Sequence, residues 1–514
     1  MHRLLTRLAA YWDFGAVAVL AAAWFAVLFH FALPLQAFRD EMDVIVPAAG
    51  YIGGAITEAV KYPSFSFYFY GSILKLTGAL SNMTAAVIVS RLANYLVFIL
   101  NVFLFHAYLR RFFGKGWALA GTVLFTSLPV VVFSAVYVKT EGLVLAELLA
   151  ALLVAERLDA APTRRRWYAL AGLFAALGIS TKLSPLPLFV FAAAVAELRR
   201  RGVRVTPREW KAFGAVFTAA LLATWTNLWI FDRVVALWRN DVYFFPGAGP
   251  FNAVTEGLIA GFPYGRFSSF VTATMPMALG VTGLFFAGAL AARTIPSRML
   301  RVFGAASLAA LAIALATTRM RLPHGFTPNL IFFLAAGVSF LAWLGAREPG
   351  THPVLNATLA KLLVALALAQ TVWQATGLPA FADGIAQVAS TVQEKYKGPF
   401  STKFFLYWWP NQFDRTAASV PRPFAQMKDV ESLREYVNQG SPDELYIFQS
   451  YIDNACKYAI NPTYRDNCDY FYQELLGGTT PYYVWRRDDI PWTGFFFLDP
   501  EFRHMSFYLF RKKH

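Results

Sequence analysis

The chain has 514 residues, of which 57% are hydrophobic and 15% charged, with 46 Lys and Arg against 31 Asp and Glu. Soluble domains carry about 25% charged residues, so this composition excludes intrinsic disorder, a collagen-like repeat, a small disulfide scaffold and a single soluble core. The net charge of +15 does not point to nucleic acid, because much of the basic excess falls in short loops between apolar runs, the arrangement that keeps Lys and Arg on the cytoplasmic side of a membrane.

The first apolar run, Gly15–Phe38, follows Arg3 and Arg7. It is longer than a signal-peptide core and lacks a small-residue cleavage site, so it reads as a first span with its amino end inside. Further runs are Thr84–Tyr108, Trp117–Tyr137 (ending near Pro129), Gly142–Glu156 and a tight pair within Tyr168–Ala196. Ala212–Phe231, Phe270–Ala291, Val302–Thr317, Pro328–Leu344 and Leu362–Leu378 complete a prediction of about eleven transmembrane helices.

Pro63–Leu80 is apolar but only 18 residues long, crowded with Phe65, Phe67, Tyr68, Phe69 and Tyr70 and interrupted by Lys75. Counting it as a span would turn Arg110, Arg111, Lys115, Arg164–Arg166 and Arg199–Arg201 outward, against the charge rule. It is therefore expected to lie in the membrane interface. The cytoplasmic loops then hold those residues together with Arg157, Arg204, Arg208, Lys211, Arg293, Arg298 and Arg301. An odd number of spans places the carboxyl end outside.

From about Pro379 to His514 the character changes to charges, turns and short β-like stretches, Leu445–Tyr451 and Tyr482–Arg486, beside an expected helix Val430–Asn438. Residues 1–378 therefore read as a membrane domain whose first outward loop, 38–83, carries interfacial helices, and residues 379–514 as a small extracytoplasmic α/β domain. Both cysteines of the chain, Cys456 and Cys468, fall in this tail. A disulfide closing a short loop is expected, two unrelated thiols being the alternative. Neither a Gly-rich nucleotide loop nor an HExxH or GxSxG motif is present, which argues against ATP-driven pumping.

The outward loops hold the chemistry. Arg39, Asp40, Glu41 and Asp43 put three carboxylates and an arginine within five residues at the end of the first span, and charged groups at such depth usually line a site. A short helix, Ala48–Lys61, then delivers Lys61 and Tyr62-Pro63 to the aromatic stretch. On the same side fall Arg91 near the start of the second span, Lys139-Thr140-Glu141, Ser180-Thr181-Lys182 and Arg319-Met320-Arg321-Leu322-Pro323.

This order of motifs resembles the GT-C membrane glycosyltransferases, nearest to the protein O-mannosyltransferases and the aminoarabinose transferase that modifies lipid A. The likeness covers roughly Phe14–Leu344. It departs from the family pattern at Phe38-Arg39 ahead of Asp40-Glu41 and at the single proline of Tyr62-Pro63-Ser64. Trp12-Asp13-Phe14-Gly15 and Trp408-Trp409-Pro410 evoke the Trp-Trp-Asp signature of oligosaccharyltransferases, but the first lies on the cytoplasmic side and the second lacks an acid.

The resemblance implies a polyprenyl-phosphate-linked sugar donor and a lipid, glycan or protein hydroxyl as acceptor, meeting at the outer face of a bacterial inner membrane, with the carboxyl-terminal domain periplasmic. Asp40 would be the general base. Glu41 would orient the acceptor, or pair with Arg39 or Arg91. Lys61, Lys182, Arg319 and Arg321 would take the donor phosphate, although Lys182 could merely snorkel to the interface. Arg39, Asp43, Arg91 and Glu141 would contact the acceptor or support the site, Arg91 foremost as partner to the acids. No metal site is required, but Asp40, Glu41 and Asp43 could hold a divalent cation. The principal alternative is a transporter or flippase of a lipid-linked or anionic substrate; another is a non-catalytic envelope-assembly partner.

Overall fold

A computed structural model describes residues 11–33, 39–52, 64–182, 184, 186–225, short stretches between 286 and 305, 327–346, parts of 358–376, 403–406, 444–448, 469–489 and 506–513. Within these, the protein is largely α-helical, with a small four-stranded sheet near its carboxyl end. Helix α1 (Trp12–Val27) continues through a π-helical turn, Leu28–Ala32. Helices α2 (Arg39–Ile52) and α3 (Phe65–Leu76) follow, then the 27-residue α4 (Met83–Leu109). The α1 segment and α4 are each long and apolar enough to cross a bilayer. Val19 on α1 is 71% exposed and Leu96 on α4 is 60% exposed, side chains suited to a hydrocarbon surround.

These two helices run antiparallel, fixed by polar contacts at both ends. At one end Asp13 is fully buried, with its Oδ2 3.1 Å from His106 Nε2 and 2.6 Å from Arg110 Nε. His106 Nδ1 lies 3.0 Å from Thr122 Oγ1, whose hydroxyl donates to the Ala118 carbonyl at 2.8 Å. The threonine oxygen is therefore the acceptor, and Nδ1 carries a proton. At the other end Arg91 Nη1 donates to the carbonyls of Ala32 and Leu33 at 3.2 and 3.0 Å. At 1.5 Å per residue, Asp13 and Ala32 stand about 28 Å apart along α1, close to the ~30 Å hydrocarbon thickness of a bilayer. Asp13, with His106 and Thr122, thus links three helices.

Helix α3 is too short to span: its 12 residues cover about 18 Å. Its end leads through left-handed Gly78 and a 3-10 turn into Asn82, which caps α4 by accepting from the backbone N–H groups of Thr84 and Ala85. Its start is held by Ser64, whose hydroxyl donates to the Thr224 carbonyl at 2.8 Å. Phe67, Tyr70 and Leu74 are fully buried. Gly71 lets the helix lie directly on α2, since a Cβ there would strike the backbone of Ala48.

The run expected as one span over Trp117–Tyr137 is two helices, α5 (Lys115–Thr126) and α6 (Pro129–Val136). The cause is Pro129, which cannot donate into a continuing helix but suits a helix's first position. It therefore opens a helix where the sequence reading had it end one. Four helices follow, α7 (Thr140–Ala160), α8 (Arg165–Lys182), α9 (Leu186–Arg200) and α10 (Pro207–Thr224), with α8 packed against α7, α9 and, most extensively, α10. Thr206 and Glu209 form a capping box at the start of α10, and the hydrogen bonds from Thr206 hold the Glu209 carboxyl below the usual range. Gly172 allows α8 to touch the α10 backbone at Phe213. Helix α11 (Thr327–Ala346) packs against α5 and α7, its Ile331–Val338 segment wholly buried. Of the other expected spans, Phe270–Ala291 and Val302–Thr317 lie mostly outside the described residues and Leu362–Leu378 partly so.

The sheet comprises β1 (Lys403–Leu406), β2 (Glu444–Phe448), β3 (Tyr482–Asp489) and β4 (Ser506–Lys512), in the order β1-β2-β4-β3. The first pair is parallel and the other two antiparallel, with a bulge between Val484 and Arg486. Tyr482, Tyr508 and Phe510 are buried on one face. Strands β2 and β3 fall on the two expected β-like stretches; the expected helix Val430–Asn438 and both cysteines lie outside the described residues.

The Asp13 cluster generates a stability prediction. Breaking a buried ion pair by removing one partner costs about 3–5 kcal/mol. Asp13→Ala should therefore lower the thermal unfolding midpoint of the detergent-solubilised protein, and an unchanged midpoint would contradict the clamp.

Candidate active site

The two ends of the helical bundle are chemically different. The Asp13 end gathers the basic loops: Arg111, Arg164–Arg166, Arg199–Arg201, Arg204 and Arg208 are exposed there, and Arg201 pairs with Asp159. The opposite end gathers buried acids and bases with their partners.

Glu41 and Arg91 form the centre of that second end, and both are fully buried. Arg91 Nε donates to Glu41 Oε1 at 2.8 Å and Nη2 to Oε2 at 2.7 Å. This is the bidentate fork that a planar guanidinium makes with a carboxylate. The guanidinium carbon also lies 5.5 Å from the ring centroid of Tyr137, within cation–π range. Glu41 Oε1 accepts in addition from the backbone N–H of Val138 at 3.3 Å. Of the partners open to Glu41, the structure thus joins it to Arg91.

Asn94, three residues along α4 from Arg91 and so on the same face, secures the next layer. Its amide nitrogen lies 3.0, 2.9 and 2.8 Å from the carbonyls of Ser134, Ala135 and Tyr137. These are the carbonyls that the end of α6 leaves without helical partners. Asn94 Oδ1 accepts from the Tyr70 hydroxyl at 3.1 Å. Burial pushes the Tyr70 phenol well above its ordinary pKa, and the nearby Glu41 and Glu141 carboxylates push it further. Tyr70 is thus a neutral donor within the field of both acids.

The buried link Tyr137–Glu141 carries the chain past Glu41 into α7. Glu141 Oε1 is ion-paired with Lys182 Nζ at the end of α8, with the glutamate side chain 5% exposed and the lysine 33%. Next to Lys182, the Thr181 hydroxyl contacts Glu147 Oε1 at 2.6 Å, and Ser180 accepts from Thr224 at 2.8 Å. The ends of α8 and α10 and the start of α3 therefore meet where the acids and Lys182 meet.

Of the sequence-predicted residues, the structure brings Glu41, Arg91, Glu141 and Lys182 into one connected region. Arg39, Asp40 and Asp43 lie in α2 around Glu41, but their side chains are outside the described set. Lys61, Arg319 and Arg321 are outside it entirely. Among the described residues no group of three or more His, Cys, Asp or Glu could hold a metal ion. Sequence reading passed over Tyr70, Asn94, Tyr137 and Glu147. Glu147 had a legible signal, an acid within the apolar run Gly142–Glu156.

No protein-family model matches the chain, and no curated protein sequence matches it. Among solved structures, the chain is similar to ArnT from Cupriavidus metallidurans bound to undecaprenyl phosphate, at 14% identity and a TM-score of 0.45, over 96% of this chain and 97% of that one. An oligosaccharyltransferase from Archaeoglobus fulgidus gives 13% and 0.45, over 87% and 71%. The mycobacterial arabinofuranosyltransferase AftD gives 15% and 0.42, over 84% of this chain and 35% of that one. Scores below 0.5 at such identities settle neither fold nor chemistry, which rest on this chain's own residues.

Because Glu41 and Arg91 are both fully buried, Arg91→Met should strand an uncompensated carboxylate and cost about 3–5 kcal/mol of stability. Pairing it with Glu41→Gln should recover much of that loss. Additive losses in a double-mutant cycle of unfolding midpoints would show that the pair is not energetically coupled.

Proposed function

We propose that this membrane protein is a GT-C-type inverting glycosyltransferase that moves a sugar from a polyprenyl-phosphate donor to an acceptor hydroxyl. The observation that carries this reading is the joining of Glu41–Arg91 to Glu141–Lys182 through the buried Tyr137–Glu141 link, at the end of the bundle away from the basic loops. Taking those loops as cytoplasmic puts the acids and Lys182 on the extracytoplasmic side, where a lipid-linked sugar is presented and where the carboxyl-terminal domain would lie.

The division of labour follows from charge. The acceptor hydroxyl must shed a proton as its oxygen attacks the sugar carbon. Asp40, beside Glu41 in α2, takes that proton as general base. Glu41, held on both oxygens by Arg91, positions α2 rather than receiving the proton. As the glycosidic bond breaks, its electron pair goes to the departing phosphate, and fixed cations stabilise that growing charge. Lys182 supplies one of them, with Lys61, Arg319 and Arg321 as further phosphate ligands; Glu141 holds Lys182 until the donor arrives. Arg39 and Asp43 contact the acceptor or support the acid pair, and no metal is required. Displacement in a single step inverts the sugar carbon and leaves no covalent enzyme intermediate.

Asp40→Asn should cut sugar transfer by about 10²–10⁴-fold, the usual worth of a positioned general base, in purified protein given a polyprenyl-phosphate sugar and an acceptor glycolipid. Turnover near that of the unaltered protein would remove Asp40 from the role. Movement of the lipid-linked sugar across vesicles with no glycosylated product would replace the transferase by a flippase.

A further inference from the structure

Glu147 is a second buried acid on α7, and the reaction outlined above does not use it. It is 5% exposed. Its Oε1 meets the Thr181 hydroxyl at 2.6 Å, whereas Oε2 has no hydrogen-bond partner among the described residues. Thr181 does not need it: the same hydroxyl lies 2.8 Å from the Leu177 carbonyl, the usual acceptor for a helical threonine. A carboxyl group with one bare buried oxygen is a costlier filling for this position than leucine of similar size. Stability alone does not explain it.

Its place does. Glu141 and Glu147, both on α7, reach consecutive residues at the end of α8, Lys182 and Thr181 respectively. Any phosphate that engages Lys182 competes with Glu141 for the same ammonium. As Lys182 turns toward the phosphate, its tie to α7 weakens, and the Glu147–Thr181 contact is the tie that stays. Resting on the reading of Lys182 as a donor-phosphate ligand, we infer that Glu147 is a positioning residue. It pins the last turn of α8 through Thr181 so that Lys182 can exchange a carboxylate for a phosphate without the helix end shifting.

The test uses the full-length protein in detergent micelles, with undecaprenyl phosphate as the probe and two readouts, its Kd and the thermal midpoint. Glu147→Leu should weaken binding about fivefold to tenfold, the scale of one lost positioning hydrogen bond, while the midpoint holds or rises. Glu147→Gln keeps an acceptor oxygen for Thr181 and should bring the Kd back to within about twofold of the unaltered protein. Thr181→Val should reproduce the loss, and combining it with Glu147→Leu should add nothing, because both changes cut one path. If Glu147→Leu does not fold, Thr181→Val and Glu147→Gln carry the test. Unchanged affinity in Glu147→Leu or Thr181→Val, or losses that add, would overturn the positioning role while leaving the transferase reading intact. Failure of the unaltered protein to bind the probe would instead remove the donor reading and this inference with it.

Discussion

The Arg91–Glu41 pair is the constraint from which one end of this protein is built. A guanidinium removed from water must find acceptors for its donors, and a carboxylate beside it must be neutralised, or neither can be buried. Arg91 meets that demand with both oxygens of Glu41 and the carbonyls of Ala32 and Leu33. Those contacts fix where α1 ends, where α2 begins and how both sit against α4. Glu41 extends the constraint to the Val138 N–H and hence to the approach to α7. A buried pair is weak evidence of net stability; its consequence here is register, because four segments must arrive together for the pair to be satisfied.

The Asp13 cluster complements it. Asp13–His106–Arg110 at one end, and Arg91 with the Ala32 and Leu33 carbonyls at the other, tie the two ends of the α1 segment to the opposite ends of α4, across a distance near that of a bilayer's hydrocarbon layer. Between them the contact of α1 with α4 is mostly apolar, through Val17, Trp24, Leu28, Tyr95, Phe98 and Val102, so the polar clusters at the ends set orientation and depth. The asymmetry follows from what surrounds each cluster. The Asp13 end opens onto exposed arginines, while the Glu41 end is roofed by α2 and α3, whose Tyr51, Phe67 and Tyr70 are buried. That aromatic cover shields the buried charges from water.

Helix existence was legible in the sequence wherever an apolar run was long and its breaks were marked, as for α1, α4 and the α8–α9 pair. The run from Trp117 was misread because hydrophobicity does not register a proline's missing donor: Pro129 interrupts the helix while leaving the apolar pattern intact. Strands β1 and β4 escaped because four and seven residues of mixed aromatic and basic character show little alternation until a partner strand is known. At the candidate site, charged residues announced themselves against an apolar background. Asn94 and Tyr137 did not, since an amide and a phenol are unremarkable in a span until the carbonyls and the guanidinium they serve are located. Asp13 shows the reverse case: its sequence neighbourhood resembled a catalytic signature, and its environment is a structural clamp.

The charges at the Glu41 end also bear on how the proposed reaction would favour its transition state. A sugar-linked lipid phosphate is a diester with one negative charge, and the departing lipid phosphate is a monoester approaching two. Interactions that match the ground state as well as the transition state do not speed the chemical step. In the proposed reaction the differential stabilisation would come from cations that engage the phosphate as its charge grows, Lys61, Arg319 and Arg321 being the proposed ones. Glu141 would sharpen the requirement: while near Lys182 it would repel an incoming phosphate, so donor binding in the proposed reaction would be an exchange of anions rather than the filling of an empty cationic site. An exchange favours an anion that offers several oxygens to several fixed cations at once, which a phosphate does better than a single carboxylate.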